Sequence, residues 1–401
     1  MSGLSRFKLL DLTHMLSGPF GAMILSDLGM DTIKIEPPGR GEGTRRLLAD
    51  SPEYSSHGMG AYFLTLNRDK KSVCLDLKSA DGYRLFLELV KSADVVLDNF
   101  SPGVTRKLGI HRDDLKEHNP RIVTCSITGF GSEGPYRNRT AFDLVAQGMG
   151  GGMSITGHKD GEPVRSGIPI GDLGGGVFGV VGVLAALHER EETGVGRHVD
   201  ISMLDCQLAM LNYMGTMHFL SGKNPGPEGN GHFVHVPYNT FATRTRHIIL
   251  AVIYDSFWES LVNLLDDPEL RAEAFRHQPG RLASKEFIEE RVQRVLHTRS
   301  CEEWVELFEE HRIPCAPVND FEHAFNNPQV AARRMVTEIV HPDGTRVRMP
   351  ANPVKMDGFE ATEEVHAWPP ELGQHTDEVL RDMLGLSSAE LDRLRHAGAI
   401  G

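Results

Sequence analysis

The chain has 401 residues, 40% hydrophobic and 24% charged, with 55 acidic against 42 basic side chains and a formal net charge of -13. That length exceeds what one hydrophobic core usually occupies and predicts two domains. The acidic balance argues against general nucleic-acid binding but leaves room for a local basic pocket for an anion. The five cysteines, Cys74, Cys125, Cys206, Cys301 and Cys315, are scattered and never spaced as C-x-x-C, so neither a disulfide framework nor a metal site is expected. The compartment reads as reducing.

From the N-terminus, "MSGLSRFKLLDL" runs into an apolar segment without a signal-peptide pattern, and the longest apolar run, 177–187, is too short to span a membrane. The expectation is a cytoplasmic protein with neither membrane nor nucleic acid as partner. Segments 7–12, 18–30 and 31–36 read as strand, helix and strand; 71–77, 80–93 and 94–99 repeat that unit, and 121–130 adds a strand. This alternation predicts an α/β fold with a Rossmann-like, doubly wound parallel sheet. A helix over about 173–190, a strand near 197–204 and a helical stretch to 220 follow.

The composition then changes, with four glycines and three prolines in 221–239, which reads as a linker. The predicted division is a large domain over 1–220, the linker 221–239, and a smaller α+β domain over 240–325. Residues 326–401 form a second linker and a C-terminal part returning to the large domain.

Gly174, Gly176 and Gly179 fit G-x-G-x-x-G before a helix. A dinucleotide turn also needs a clean preceding strand, and "PVRSGIPI" carries two prolines, which cannot donate to a sheet ladder. A nicotinamide-dependent oxidoreductase is therefore the weaker reading. Asp172 lies just ahead of these glycines and reads as an N-cap, a carboxylate at the positive end of a helix. The surrounding glycines leave space for a close approach, and such a carboxylate can act as a nucleophile toward an activated acyl group.

Nine fragments in order carry a family resemblance: "LDLTHMLSGP" (10–19), "DTIKIEPPGRGEGTR" (31–45), "LNRDKKSV" (66–73), "DNFSPGVTRKLG" (98–109), "SITGFGSEGPY" (126–136), "FDLVAQGMGG" (142–151), "GDLGGG" (171–176), "RIPCAPV" (312–318) and "LGQHTDEVL" (372–380). Over essentially its whole length the chain resembles the family III CoA-transferases, the formyl-CoA transferase and carnitine CoA-transferase group within the L-carnitine dehydratase/bile-acid-inducible protein F superfamily. The resemblance implies that Asp172 is the catalytic nucleophile, working through an acyl-aspartyl anhydride and an aspartyl-CoA thioester. It implies an acyl-CoA and a small carboxylic acid as partners, no tightly bound cofactor, a coenzyme A thioester as co-substrate, and an interlocked homodimer. For coenzyme A it implies Leu16, Ser17, Leu75, Lys78, Asn99, Phe100, Ser101, Arg106, Lys107, Arg139, Thr140 and Asp143. For the acyl substrate it implies Gly175, Gly176, His232 and Tyr238.

Departures matter too. Formyl-CoA transferase carries glutamine where Leu16 stands and arginine where Pro37 stands, and arginine is usual at the position of Lys107, where Arg106 could compensate. Oxalate or formate is therefore disfavoured, and a larger acid with succinyl-CoA as donor is favoured by analogy. The α-methylacyl-CoA racemases of the same superfamily have a His-Asp pair where Phe142 and Asp143 stand and a glutamate where Asn239 stands, so racemase chemistry lacks its acid and base here. A catalytically silent CoA-binding protein is a third possibility. His232 and His235 read as loop histidines rather than metal ligands, and Thr376 reads as a helix cap.

Overall fold

The computed structural model describes residues 3–357 and 365–401. Six strands, β1 (Lys8–Asp11), β2 (Asp31–Glu36), β3 (Lys71–Cys74), β4 (Val95–Asp98), β5 (Val123–Thr128) and β6 (His198–Ser202), form one sheet in the order β3-β2-β1-β4-β5-β6, with every neighbouring pair parallel. The strand order reverses between β1 and β4, the doubly wound arrangement predicted from the alternating pattern.

Period-two alternation sends neighbouring residues into two cores. Leu9, Val95 and Leu97 pack with helices α1 (Ser17–Asp27) and α5 (Ile170–Thr193), whereas Leu10 and Val96 pack with α2 (Ala80–Val90), α10 (Thr376–Leu384) and α11 (Ser388–His396). The first unit also contains α3 (Pro102–Leu108), α4 (Asp143–Met149) and α6 (Met203–Leu211). A hairpin of β10 (Val336–Val340) and β11 (Arg346–Pro350) extends through β10 to the parallel strand β12 (Val365–Ala367). Thr376 is the first residue of α10 rather than its cap, because its hydroxyl accepts the Cys74 N–H at 3.0 Å instead.

Two compact units result, one of residues 1–152, 165–222 and 328–401, the other of 153–164 and 223–327. Residues 153–164, expected within the first domain, group with the second unit, where Gly157 O accepts the Gly229 N–H at 2.9 Å. The second unit has the antiparallel sheet β9-β8-β7, comprising β7 (Tyr238–Ala242), β8 (His247–Ala251) and β9 (Cys315–Pro317). Its core joins Leu250 to Trp258 of α7 (Asp255–Leu265), Val292 of α8 (Lys285–Leu296) and Trp304 of α9 (Cys301–Glu310).

Helix α5 is long and apolar enough by composition to cross a membrane, but half of that apolar stretch is buried within the fold. Its glycines explain how. A β-carbon on Gly176 would lie 2.7 Å from Ser17 O, and one on Gly175 would lie 2.9 Å from Ser17 Oγ. At Gly179 it would meet Ile127 of β5 at 2.9 Å, and at Gly174 it would meet Met210 of α6 at 2.8 Å. From the other side, a β-carbon on Gly21 of α1 would lie 3.1 Å from Gly176 O. The space cleared by these glycines is filled by neighbouring elements, which corrects the expectation that it awaits a ligand.

Gly176→Ala is expected to lower stability by about 1–3 kcal/mol, since its methyl group meets backbone that cannot rotate away. Gly226→Ala, where a β-carbon meets nothing within 4 Å, should stay within about 0.5 kcal/mol of wild type. Urea denaturation of the two variants checks this.

Candidate active site

In a doubly wound sheet, ligands bind beyond the carboxyl ends of the strands where the order reverses. Here that place is the loop from β1 to α1. Asn99, just past β4, holds it from both sides: Oδ1 accepts the His14 N–H at 3.0 Å and Nδ2 donates to His14 O at 2.7 Å. Met15 has a left-handed backbone with φ of 67°, a conformation costing a side-chain-bearing residue roughly 1–2 kcal/mol. Its N–H donates to Glu42 Oε2 at 3.3 Å.

A buried charge cluster lies beneath. Asp11 is fully buried and accepts from Lys70 Nζ at 2.8 Å, while Lys34 Nζ lies 3.8 Å away and donates to Thr13 O at 2.8 Å. Burial alone would raise the Asp11 pKa, but Lys34 and Lys70 overcome this and hold it down to about 2. Glu36 takes a two-pronged contact from Arg45, at 2.7 and 2.6 Å. Arg45 is thus spent on the scaffold.

Above this cluster opens a cavity of about 1110 Å³, at the upper end of small-molecule sites. Thr13, His14, Leu75 and Phe100 are among its walls, and the cations Arg40, Arg46, Lys78, Arg106 and Lys107 line it. All five are exposed, and among the described residues none forms an ion pair. In a chain with net charge -13, five cations without carboxylate partners around one cavity fit a ligand carrying several phosphates.

Asp172 is half-buried and does not line this cavity; one turn along α5 from it, Gly175 abuts Ser17 in the first turn of α1. Asp172 stands at the third position of α5, within the first turn, so it is not the N-cap; Pro169 occupies that place. The capping carboxylate comes from Asp143. Its Oδ1 accepts the Gly171 N–H at 2.8 Å and the Asp172 N–H at 3.4 Å, and its Oδ2 accepts from Gln147 Nε2 at 2.7 Å. Leu173 N–H donates to Pro169 O, so these first-turn donors already have acceptors.

The Asp172 carboxylate itself makes no ion pair or hydrogen bond among the described residues. Burial, helped by the nearby Asp143 charge, pushes its pKa up to about 6. It is therefore more basic than an ordinary aspartate. An unpaired, partly desolvated carboxylate of this kind is chemically suited to attack an acyl carbon.

A sequence model described as CoA-transferase family III matches residues 4–376. The chain belongs to CoA-transferase family III, and it is an enzyme of the transferase class. It is 37% identical to an acetyl-CoA:oxalate CoA-transferase of Acetobacter aceti, covering 88% of this chain and 89% of the relative. It is 34% identical to a succinyl-CoA:mesaconate CoA-transferase of Haloarcula hispanica, covering 95% and 96%, and 33% identical to a succinyl-CoA:glutarate CoA-transferase of Mus musculus, covering 100% and 91%. A crystal structure of a CAIB/BAIF family protein from Brucella suis superimposes with a TM-score of 0.83 at 32% identity, covering 95% of this chain and 99% of the other.

Within this CoA-transferase, the structure brings Leu75, Lys78, Phe100, Arg106 and Lys107 together around the cavity, with Asn99 shaping the loop beside it. Ser101 caps the short α3 by position, without a side-chain bond. Leu16 precedes α1, and the hydroxyl of Ser17 is buried without a partner. Gly175 and Gly176 are helix-packing positions. Arg139 is exposed, with its guanidinium 4.5 Å from the Tyr136 ring, and Thr140 is exposed beside it; neither lines the cavity. His232 and Tyr238 lie in the second unit with ring centroids 5.2 Å apart, and His232 Nδ1 accepts the N–H groups of Val234 and His235.

Sequence reasoning missed His14, Arg40 and Arg46 as cavity residues. His14 falls inside "LDLTHMLSGP", Arg40 inside "DTIKIEPPGRGEGTR" and Arg46 just past it, where only the folded loop shows which side chains face inward.

Two measurements test this geometry. The acid limb of kcat/KM should fall near pH 6 in wild type and move lower in Asp143→Asn, which keeps an acceptor oxygen but removes the like charge. The raised pKa also means that ionised Asp172 costs stability, a cost absent below about pH 4 and fully present above about pH 6. Asp172→Asn should therefore exceed wild type by about 1–2 kcal/mol at pH 8, after discounting for solvent screening, with the difference vanishing at pH 4. Denaturant titrations at the two pH values read it directly.

Proposed function

We propose that this chain moves coenzyme A from an acyl-CoA donor to a carboxylic acid through covalent intermediates on Asp172. The observation that carries the reading is the unpaired, partly desolvated Asp172 carboxylate at the start of α5, made more basic by burial and Asp143. The carboxylate attacks the donor's thioester carbon; the C–S bond breaks, and an acyl-aspartyl anhydride and a thiolate form. The thiolate then attacks the aspartyl carbonyl, releasing the donor's acid and leaving an aspartyl-CoA thioester. The acceptor carboxylate attacks that thioester, expelling the thiolate, which takes the acceptor's acyl group from the new anhydride. No net proton is consumed.

The five unpaired cations of the cavity are assigned to the phosphates of coenzyme A, with Arg106 standing beside Lys107 where bidentate binding is lost. The buried Ser17 hydroxyl, without a partner and beside Gly175, is the donor available to an oxygen developing negative charge. The substrate roles of His232 and Tyr238 rest on the family resemblance.

The three named relatives act on oxalate, mesaconate and glutarate, all dicarboxylic acids, and two of them on succinyl-CoA. A dicarboxylate acceptor with succinyl-CoA as donor follows, supported by Leu16, an apolar residue beside Ser17. Exposed apolar residues Val177, Phe178 and Val181 on α5, with Phe219 and Leu220, support an interlocked homodimer. The described cysteines are free thiols, in keeping with a reducing, cytoplasmic setting.

Incubation with succinyl-CoA, quenching with hydroxylamine and peptide mass spectrometry should find a hydroxamate at Asp172, and Asp172→Ala should lose exchange by roughly 10³-fold or more. Absence of the hydroxamate, with exchange surviving in Asp172→Ala, overturns the mechanism. Faster turnover of acetyl-CoA with oxalate than of succinyl-CoA with glutarate or mesaconate overturns the substrate assignment alone.

Lys107→Ala combined with Arg106→Ala should raise KM for the acyl-CoA at least about tenfold while changing kcat less, because the phosphates lie away from the reacting carbon. Initial-rate kinetics at fixed acceptor concentration check it.

A further inference from the structure

Away from the cavity, the turn after Ser56 and the turn joining β10 to β11 meet side by side. His57 Nε2 lies 2.8 Å from Asp343 Oδ2, and His341 Nδ1 lies 2.9 Å from Asp343 Oδ1. One ligand atom from each of the three residues falls within 4.8 Å of the others. The imidazoles are stacked with centroids 3.8 Å apart, and Trp368 packs edge-on against both.

Three observations converge. His57 has a left-handed backbone with φ of 51°, a local cost that the contacts around its ring must offset. The second ring nitrogen, Nδ1, lies 3.1 Å from Ser56 Oγ, the kind of outer partner that orients metal-bound histidines. The Thr345 N–H, donating to Asp343 Oδ1 at 2.9 Å, fixes the carboxylate in turn.

We propose that His57, His341 and Asp343 form a divalent-cation site, best suited to Zn²⁺, that ties the turn at residue 57 to the β10–β11 hairpin. Two imidazoles and a carboxylate with room for water make up a common zinc set, and the absence of thiolate disfavours softer ions. The site lies outside the residues assigned to catalysis, so its role is structural. No C-x-x-C or H-x-x-H spacing could announce it, because the ligands come from positions 57, 341 and 343.

The test uses the full chain, stripped with a chelator and titrated with Zn²⁺ and, as a spectroscopic probe, Co²⁺. Wild type should take up one equivalent at micromolar concentration, show visible d–d absorption with Co²⁺, and gain thermal midpoint with Zn²⁺. His57→Gln/His341→Gln should lose that equivalent. Ser56→Ala, which keeps all three ligands, should bind about tenfold more weakly. No stoichiometric uptake by wild type, or equal uptake by the double variant with its fold intact by circular dichroism, overturns the proposal. So does Ser56→Ala binding as tightly as wild type if the double variant fails to fold.

Discussion

The close approach of α1 and α5 is the constraint on which the site depends. Gly21 meets Gly176 backbone to backbone, and the Ser17 hydroxyl seats against Gly175. Glycine within a helix costs about 1 kcal/mol relative to alanine, and α5 carries six of them among its 24 residues. A helix so composed is stable only where tertiary packing offsets that loss, as it does against α1, β5 and α6. The consequence is positional: α1 is the helix that follows the strained loop after β1, so seating α5 on it brings Asp172 to the same end of the sheet as the cation-lined cavity.

The same sheet end treats two carboxylates in opposite ways. Asp11, fully buried, is given Lys34 and Lys70 and is held near a pKa of 2, so it stays charged as a fixed part of the scaffold. Asp172, half-buried, is given a second carboxylate and no cation, and is held near 6. Pairing holds the first charged, and the lack of a cation leaves the second the stronger base. The arrangement has a structural price, because Asp143 must satisfy the helix N-terminus and repel the neighbouring Asp172 carboxylate at once.

Much of this was legible in the sequence. The strand-helix alternation marked the doubly wound class, with residues such as Leu9 and Leu10 facing opposite cores, and Asp172 stood out ahead of its helix. The glycine spacing misled in two ways. It cannot tell whether cleared space is filled by a ligand or by another helix, and local rules assign the cap to a neighbouring residue when the capping Asp143 lies 29 positions upstream. Residues 153–164 carry no periodicity, so nothing local marks them as part of the second unit. The cluster of His57, His341 and Asp343 was invisible because only the fold brings those turns together.

The departures from formyl-CoA transferase can now be separated by place. Pro37 lines the cation-rich cavity proposed above to hold coenzyme A. Leu16 precedes Ser17 at the start of α1, the turn that abuts α5. An apolar residue at that point removes a hydrogen-bond partner that a small, highly charged acid such as oxalate would use, and unpaired polar atoms are costly in a partly desolvated site. On the mechanism proposed above, Leu16, set beside the turn that abuts α5, is the position where acyl selectivity should be sought, rather than Pro37 in the cavity wall.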